Sequence, residues 1–338
     1  MQNTTKALYH EYVHQISQLN QVSEVTSTFT VDPSIQQTLE SKMQESSEFL
    51  TKINVLGVDQ QEGEKVGLGI SGTIAGRTDT STGTERKPAS VAALSSNRYR
   101  CEQTNFDTYI AYSTLDAWAK FPDFQARLAM SIVKRQALDR IAIGFNGTRA
   151  DKNTDRGANP LLQDVNIGWI QQFKNNAPQR VMTEHKTPGK LIVGPSDQAD
   201  YKNLDALVYD ALTLLDPWYR ANPGLVVMAS RELIHDKYFP LVNSDQRPTD
   251  QLATDTIMTQ RRIGSLPAYE VPYLPAGKLV ITAFDNLSLY YQSQSRKRFI
   301  IDQPQLNRIA NFESSNDAYV VEDYGFGAVV ENITIEHK

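Results

Sequence analysis

Two histidines four residues apart could hold a metal ion near the start of this chain. His10-Glu11-Tyr12-Val13-His14 has the H-E-x-x-H spacing. In that pattern two imidazoles on one helix face ligate zinc and the Glu serves as base. The surroundings do not suit the chemistry. No strands precede the motif to wall a cleft, and a third ligand would have to be His185, His235, His337 or a carboxylate, none in a recognisable motif. The better reading is the polar face of a terminal helix and no metal site. A zinc hydrolase stands as a minor alternative.

Other candidate chemistry fades in the same way. Gly67-Leu68-Gly69-Ile70-Ser71-Gly72 has the form of a dinucleotide-binding turn. Such a turn needs a helix directly after it to meet the pyrophosphate. Ser, Thr and Gly follow instead, so these glycines suit a twisted, flexible arm. Cys101 has Arg100 and Glu102 beside it and no nearby His, which leaves a nucleophile unsupported. Glu322-Asp323 reads as a surface or salt-bridge pair, and no G-x-S-x-G elbow occurs. Asn146-Gly147-Thr148 fits a glycosylation pattern, but a chain without a signal peptide would not meet that machinery. Trp118, Trp169, Trp218 and Tyr219 suit core or interface anchors. No catalytic residue and no cofactor is expected.

The 338 residues carry 34 Lys and Arg against 39 Asp and Glu, a net charge of −5. That balance disfavours a general nucleic-acid binder, because phosphate contacts need basic excess. Apolar residues at 40% suffice for a real core. Cys101 is the single cysteine, so no intrachain disulfide or Cys-rich metal site is possible, which fits a reducing compartment. Residues 1–30 lack the apolar core of a signal peptide. No run approaches the roughly 18 apolar residues of a membrane helix.

The elements point toward assembly. A short amphipathic helix is predicted over 6–20, then a polar linker over 21–30. Asp32-Pro33 should cap and open a second helix. Residues 71–84 are rich in Gly, Ser and Thr, with no apolar side chain larger than Ile74. Strand-like segments at 52–58 and 105–114 flank this run and predict a β-hairpin arm too polar for its own core. A short helix follows through Trp118. A long one of about 23 residues begins near Pro122 and ends at Gly144 and Gly147, with Arg127, Lys134, Arg135, Asp139 and Arg140 on its polar face. Further helices are expected over 161–173, 204–215, 231–239 and 251–260. Strands are expected at 225–229, 268–271, 279–284, 287–292, 298–301, 306–312, 319–321 and 327–335. The fold class is α+β.

The chain reads MQESSEFLTKIN at 43–54, GTERK at 83–87, NFDTYIAYSTLDAWA at 105–119, KRQALDRIAIGFNG at 134–147 and NPLLQDV at 159–165. It continues with DKYFPLVN at 236–243, RIGSLPAYEVPYLPA at 262–276 and VVEDYGFGAVVE at 320–331. In these stretches and in its order of parts it resembles the major capsid proteins of tailed double-stranded DNA bacteriophages, the Hong Kong 97-type fold, and within them the peduovirus (P2-like) group. The resemblance implies a map: a removable segment at 1–29, an N-terminal arm at 30–52, and an extended hairpin at 53–113. A peripheral domain would combine 114–185 with 291–338 around the spine helix, and an axial domain would span 186–290.

By the same resemblance the chain is expected to form pentamers and hexamers of an icosahedral virion shell. That shell would be assembled in the bacterial cytoplasm with a scaffolding protein, a maturation protease and a portal protein. It would enclose double-stranded DNA without sequence-specific binding and without a membrane. Trimming is placed at Phe29 and Thr30, and the hairpin tip at Gly72, Gly76 and Gly83 is expected to lie on a neighbouring subunit. An encapsulin-like cellular compartment and a tail tube or sheath subunit are the other assembly readings.

Overall fold

The computed structural model describes residues 1–65, 75–83, 85–86, 98–118, 121, 124–242 and 261–336. Gly72, the glycine run at 67–72, Pro122 and the helix expected over 251–260 lie outside them. Asp32 caps its helix as its position predicts: the carboxylate accepts the Ser34 N–H at 2.9 Å and Pro33 takes the first turn. The helices are α1 (Asn3–Leu19), α2 (Pro33–Glu45), α3 (Glu48–Lys52), α4 (Tyr112–Trp118), the spine α5 (Phe124–Asn146), α6 (Trp169–Asn176), α7 (Leu204–Ala211) and α8 (Arg231–Val242). At 23 residues α5 is about 35 Å long.

Strands before the spine are β1 (Phe29–Thr30), β2 (Asn54–Val58), β3 (Glu62–Glu64), β4 (Arg98–Arg100), β5 (Glu102–Asn105) and β6 (Thr108–Ala111). After it come β7 (Val181–Met182), β8 (Leu191–Val193), β9 (Val226–Ala229), β10 (Arg262–Ile263), β11 (Leu266–Glu270) and β12 (Leu279–Thr282). The tail supplies β13 (Leu287–Gln292), β14 (Lys297–Gln303), β15 (Arg308–Val321), β16 (Gly327–Val330) and β17 (Ile333–Ile335).

These strands build two main sheets. The first has seven strands and centres on β15: β14 and then β13 run along one edge, while β6 and β5 take the other. β1 pairs with β14, and β2 runs parallel to β13. The second has the order β10-β11-β9-β12-β16-β7. The hairpin arm rises from the first sheet as the antiparallel pair β3–β4.

One core lies between α2, α5, α6 and the sheets, around Trp169. The Trp169 ring meets Phe145 and Tyr319 edge-on at 5.1 and 5.3 Å, and its Nε1–H donates to Ser288 O at 3.0 Å. Gly144 makes this possible, because a Cβ there would stand 2.2 Å from the Trp169 ring. A second core packs α7 and α8 against the second sheet.

Three elements depart from the sequence reading. Helix α6 begins only at Trp169, not 161. Asp164 accepts N–H groups from Asp155 and Asn159 at 2.6 and 3.0 Å, and Leu162 sits at φ +61°. Such side-chain bonds hold the chain in a loop in competition with helix. β15 is one strand of 14 residues, without the expected break after Phe312. Its polar middle alternates, with Glu313, Ser315 and Asp317 facing inward. The final strand is two, because Asn332 at φ +61° turns the chain from β16 to a separate pairing of β17 with β8.

Candidate assembly site

Helices α2 and α5 and the first sheet meet in a buried ionic junction. Arg140 was expected on the polar face of α5, yet it is 1% exposed. Its guanidinium grips Asp317 of β15 with two parallel bonds, Nε to Oδ2 at 2.9 Å and Nη2 to Oδ1 at 3.0 Å. Its other side donates to both carboxylate oxygens of Glu40 on α2, through Nη1 and, at 3.2 Å, through Nη2. Arg296, in the turn between β13 and β14, donates to Glu40 Oε1 at 3.0 Å, Glu313 Oε1 at 2.7 Å and Gln136 Oε1 at 2.6 Å. Gln136 returns a bond to Glu313 Oε2 at 3.1 Å.

Two guanidiniums and three carboxylates thus share one buried site, and each guanidinium bonds to groups on at least two elements. Burial opposes the Arg140 charge, but Asp317 and Glu40 outweigh it and hold its pKa well above the ordinary value. Burial likewise pushes Glu313 up, but Arg296 and Arg298 prevail and its pKa lies below the ordinary value. Position 140 offers one signal in the sequence: on a helix it lies beside the apolar positions 137 and 141, so its row faces the core.

The hairpin root carries a second buried charge. Lys65, just beyond β3, is 5% exposed and among the described residues makes no carboxylate pair within salt-bridge distance. Its ammonium donates to Val321 O and stands 4.4 Å from the centre of the Tyr324 ring. The nearby carboxylates are engaged elsewhere. Glu322 accepts from Ser288 and Tyr290, and Asp323 from Tyr219 at 2.7 Å. Burial lowers the Lys65 pKa to about 8, against the opposing pull of Glu322 and Asp323. This contact falls where the chain leaves β15 for β16, so the hairpin root touches the crossover between the two sheets. Beyond it, Gly76 and Gly83 face open space, with Gly83 at φ +81°.

The first 31 residues pack against the first sheet. Ile16, Val25, Phe29 and Val31 are buried against Ile300 and Ile309. At the far end, the Gln2 N–H donates to Asp116 at 2.8 Å. The polar linker expected over 21–30 is buried in part: Val25 and Phe29 are buried, whereas Thr30 is exposed.

The remaining candidates resolve individually. His10 and His14 are exposed on α1, and among the described residues no three His, Cys, Asp or Glu side chains are grouped to hold a metal. Cys101 is fully buried, and burial first, then Asp317 and Glu102, push its thiol up to about 12, so it is a poor nucleophile. Asn146 is buried and donates to Tyr273 O at 2.8 Å. Trp169 is core, while Trp218 is 48% exposed. Among the described residues no helix is long and apolar enough to cross a membrane.

Among the described residues, α5 and Lys65 beyond β3 bond directly to the central strand β15, and α2 is joined to it through Arg140 and Arg296. The sequence pattern of phage major capsid proteins of the P2 family matches residues 8–333. The chain belongs to that family. The capsid protein of Escherichia phage P2 is 48% identical over 344 residues, which cover 99% of this chain and 96% of that one. A subunit of the satellite phage P4 procapsid, solved with its size determination protein, superposes with a TM-score of 0.83 at 46% identity, over 99% of each chain. A capsid subunit of an empty GTA particle superposes with a TM-score of 0.53 at 12% identity over 86% of this chain and 90% of that one, a likeness of fold alone. The fold of this capsid protein is thus the Hong Kong 97-type phage capsid fold, and the chain is a virion component.

Proposed function

We propose that this capsid protein builds a closed icosahedral shell from pentamers and hexamers and encloses double-stranded DNA. The observation that carries the reading is the match over nearly the whole chain to a subunit of a procapsid. Division into an N-terminal arm at 30–52, an extended hairpin at 53–113, a peripheral domain at 114–185 and 291–338 and an axial domain at 186–290 suits that role. The same contact must serve in rings of five and six copies, so it needs compliance. A polar hairpin with glycines at its tip supplies compliance, and the spine, fixed through Arg140, supplies stiffness. Exposed Tyr109, Met130 and Trp218 are apolar surfaces available to other copies. A net charge of −5 suits a wall that holds DNA without binding its sequence.

Removal of residues 1–29 during maturation belongs to the same reading, with the cut placed between Phe29 and Thr30. Scaffolding protein, maturation protease and portal are the partners, met in the bacterial cytoplasm. The protein acts as a building block and not as an enzyme. A cellular compartment shell has less support, because the family is one of phage capsids.

The test is expression with the cognate scaffolding protein, followed by negative-stain microscopy. Closed, roughly spherical shells are expected. Purely monomeric protein under those conditions would refute the reading, and helical tubes would favour a tail component.

A further inference from the structure

The bond between Phe29 and Thr30 lies inside a formed strand. Phe29 pairs with Arg298 and Thr30 with Lys297. Further backbone bonds flank the pair, from Ile300 N–H to Val25 O at 3.1 Å and from Val31 N–H to Arg296 O at 2.9 Å. Val25, Phe29 and Val31 are 1%, 7% and 4% exposed. Tyr12 on α1 accepts from Arg298 at 3.0 Å, on the same strand β14.

A protease binds its substrate as an extended segment whose backbone groups pair with the enzyme's cleft. Here that backbone already pairs with β14, and Phe29 on one side of the bond and Val31 just beyond it are buried against the sheet. We propose that the docked segment is a gate on its own removal: the chain is cut only after β1 unzips from β14. This rests on the proposed N-terminal trimming. The cut itself adds water across the amide, leaving a carboxylate on Phe29 and an amine on Thr30. The protease supplies that step; the capsid protein controls access to it. Processing is then coupled to whatever loosens residues 1–31 from the sheet, as local opening governs proteolysis in general.

The register offers a direct test. The Val31–Arg296 bond makes Thr30–Lys297 a non-hydrogen-bonded pair, the geometry in which cross-strand side chains lie closest. Both residues are exposed, and buried Cys101 does not compete. The double variant Thr30→Cys, Lys297→Cys is expressed with scaffold and maturation protease in hosts with oxidising and with reducing cytoplasm. Wild type and each single variant serve as controls, and intact mass reads the N-terminus. The gate predicts uncut protein only where the disulfide forms, and wild-type trimming in the reducing host. Val25→Ala, four residues from the bond, should instead speed precursor loss roughly tenfold, because it weakens docking. Disulfide-bonded protein cut at the wild-type rate, or Val25→Ala cut no faster, overturns the gate alone. Wild type that stays uncut overturns the trimming reading and the gate with it.

Discussion

Glu40 of α2 and Arg140 of α5 meet in the interior at 3% and 1% exposure, and their ion pair fastens α2 to the longest helix among the described residues. The pair is not self-sufficient. Arg140 also holds Asp317, and Glu40 also holds Arg296. Each element of the junction is therefore secured through the others.

Glu40→Gln tests that dependence. The amide keeps the shape and leaves Arg140 with Asp317 and Arg296 with Glu313, but its NH2 replaces one of the two oxygens that accept from the guanidiniums and leaves a buried donor unsatisfied. A buried donor left without an acceptor costs about 1–3 kcal/mol. The expected outcome is a melting temperature lowered by several degrees, with hydrogen exchange in α2 raised well above that in α7. Unchanged exchange in α2 would mean that apolar packing around Met43 holds the arm without the charge.

Acid should open the same junction. The Glu313 pKa is lowered in the folded protein. A carboxyl of that kind adds stability above its unfolded pKa, and the gain is lost as pH falls through the folded value. Melting temperature should therefore fall steeply below about pH 4, the region of unperturbed carboxylates. Glu313→Gln should melt lower at neutral pH and show a shallower acid limb. A parallel acid limb in the variant would assign the transition to other carboxylates.

Lys65 should respond with the same sign but in an alkaline window. Its folded pKa of about 8 lies below its ordinary value of 10.5. Between those two values the unfolded chain binds more protons than the folded one, so stability rises with pH across that window and is flat below it. Hydrogen exchange of β3 and β4 should slow from pH 8 to 10 after correction for intrinsic rate. Lys65→Met should slow it already at pH 7 and remove the pH dependence. Faster exchange in the variant would show that the bond to Val321 O and the Tyr324 ring outweigh the cost of burying the charge.

Much of this architecture is written locally. The Asp32-Pro33 start, the 23-residue spine and the β-branched strands at 226–229 and 279–282 follow from spacing and residue type alone. What sequence hides is long-range pairing. Arg140 looks solvent-facing because charge ordinarily means surface. Its partners lie 100 and 177 positions away in the chain. The polar stretch over 313–317 looks like a break in a strand for the same reason, since its inward carboxylates meet arginines from elsewhere. Lys65 is legible only once the crossover at 322–326 is placed beside the hairpin root.

The hairpin gives the last test. Gly76 and Gly83 stand in open space, and residues 75–81 that carry burial assignments are exposed. The tip therefore adds little apolar area to its own subunit, and area removed from water is the main source of folding stability. Replacing residues 72–83 with a two-residue turn should leave the circular dichroism and melting of the free subunit near wild type, because β3, β4 and the Lys65 anchor remain. Shell formation with scaffold should still fail or give fragile particles, because the shortened arm no longer reaches a neighbouring copy. Unfolding of the free variant would place the tip in the subunit core. Shells of unchanged stability would make the tip a dispensable excursion and leave compliance to be supplied by another part of the chain.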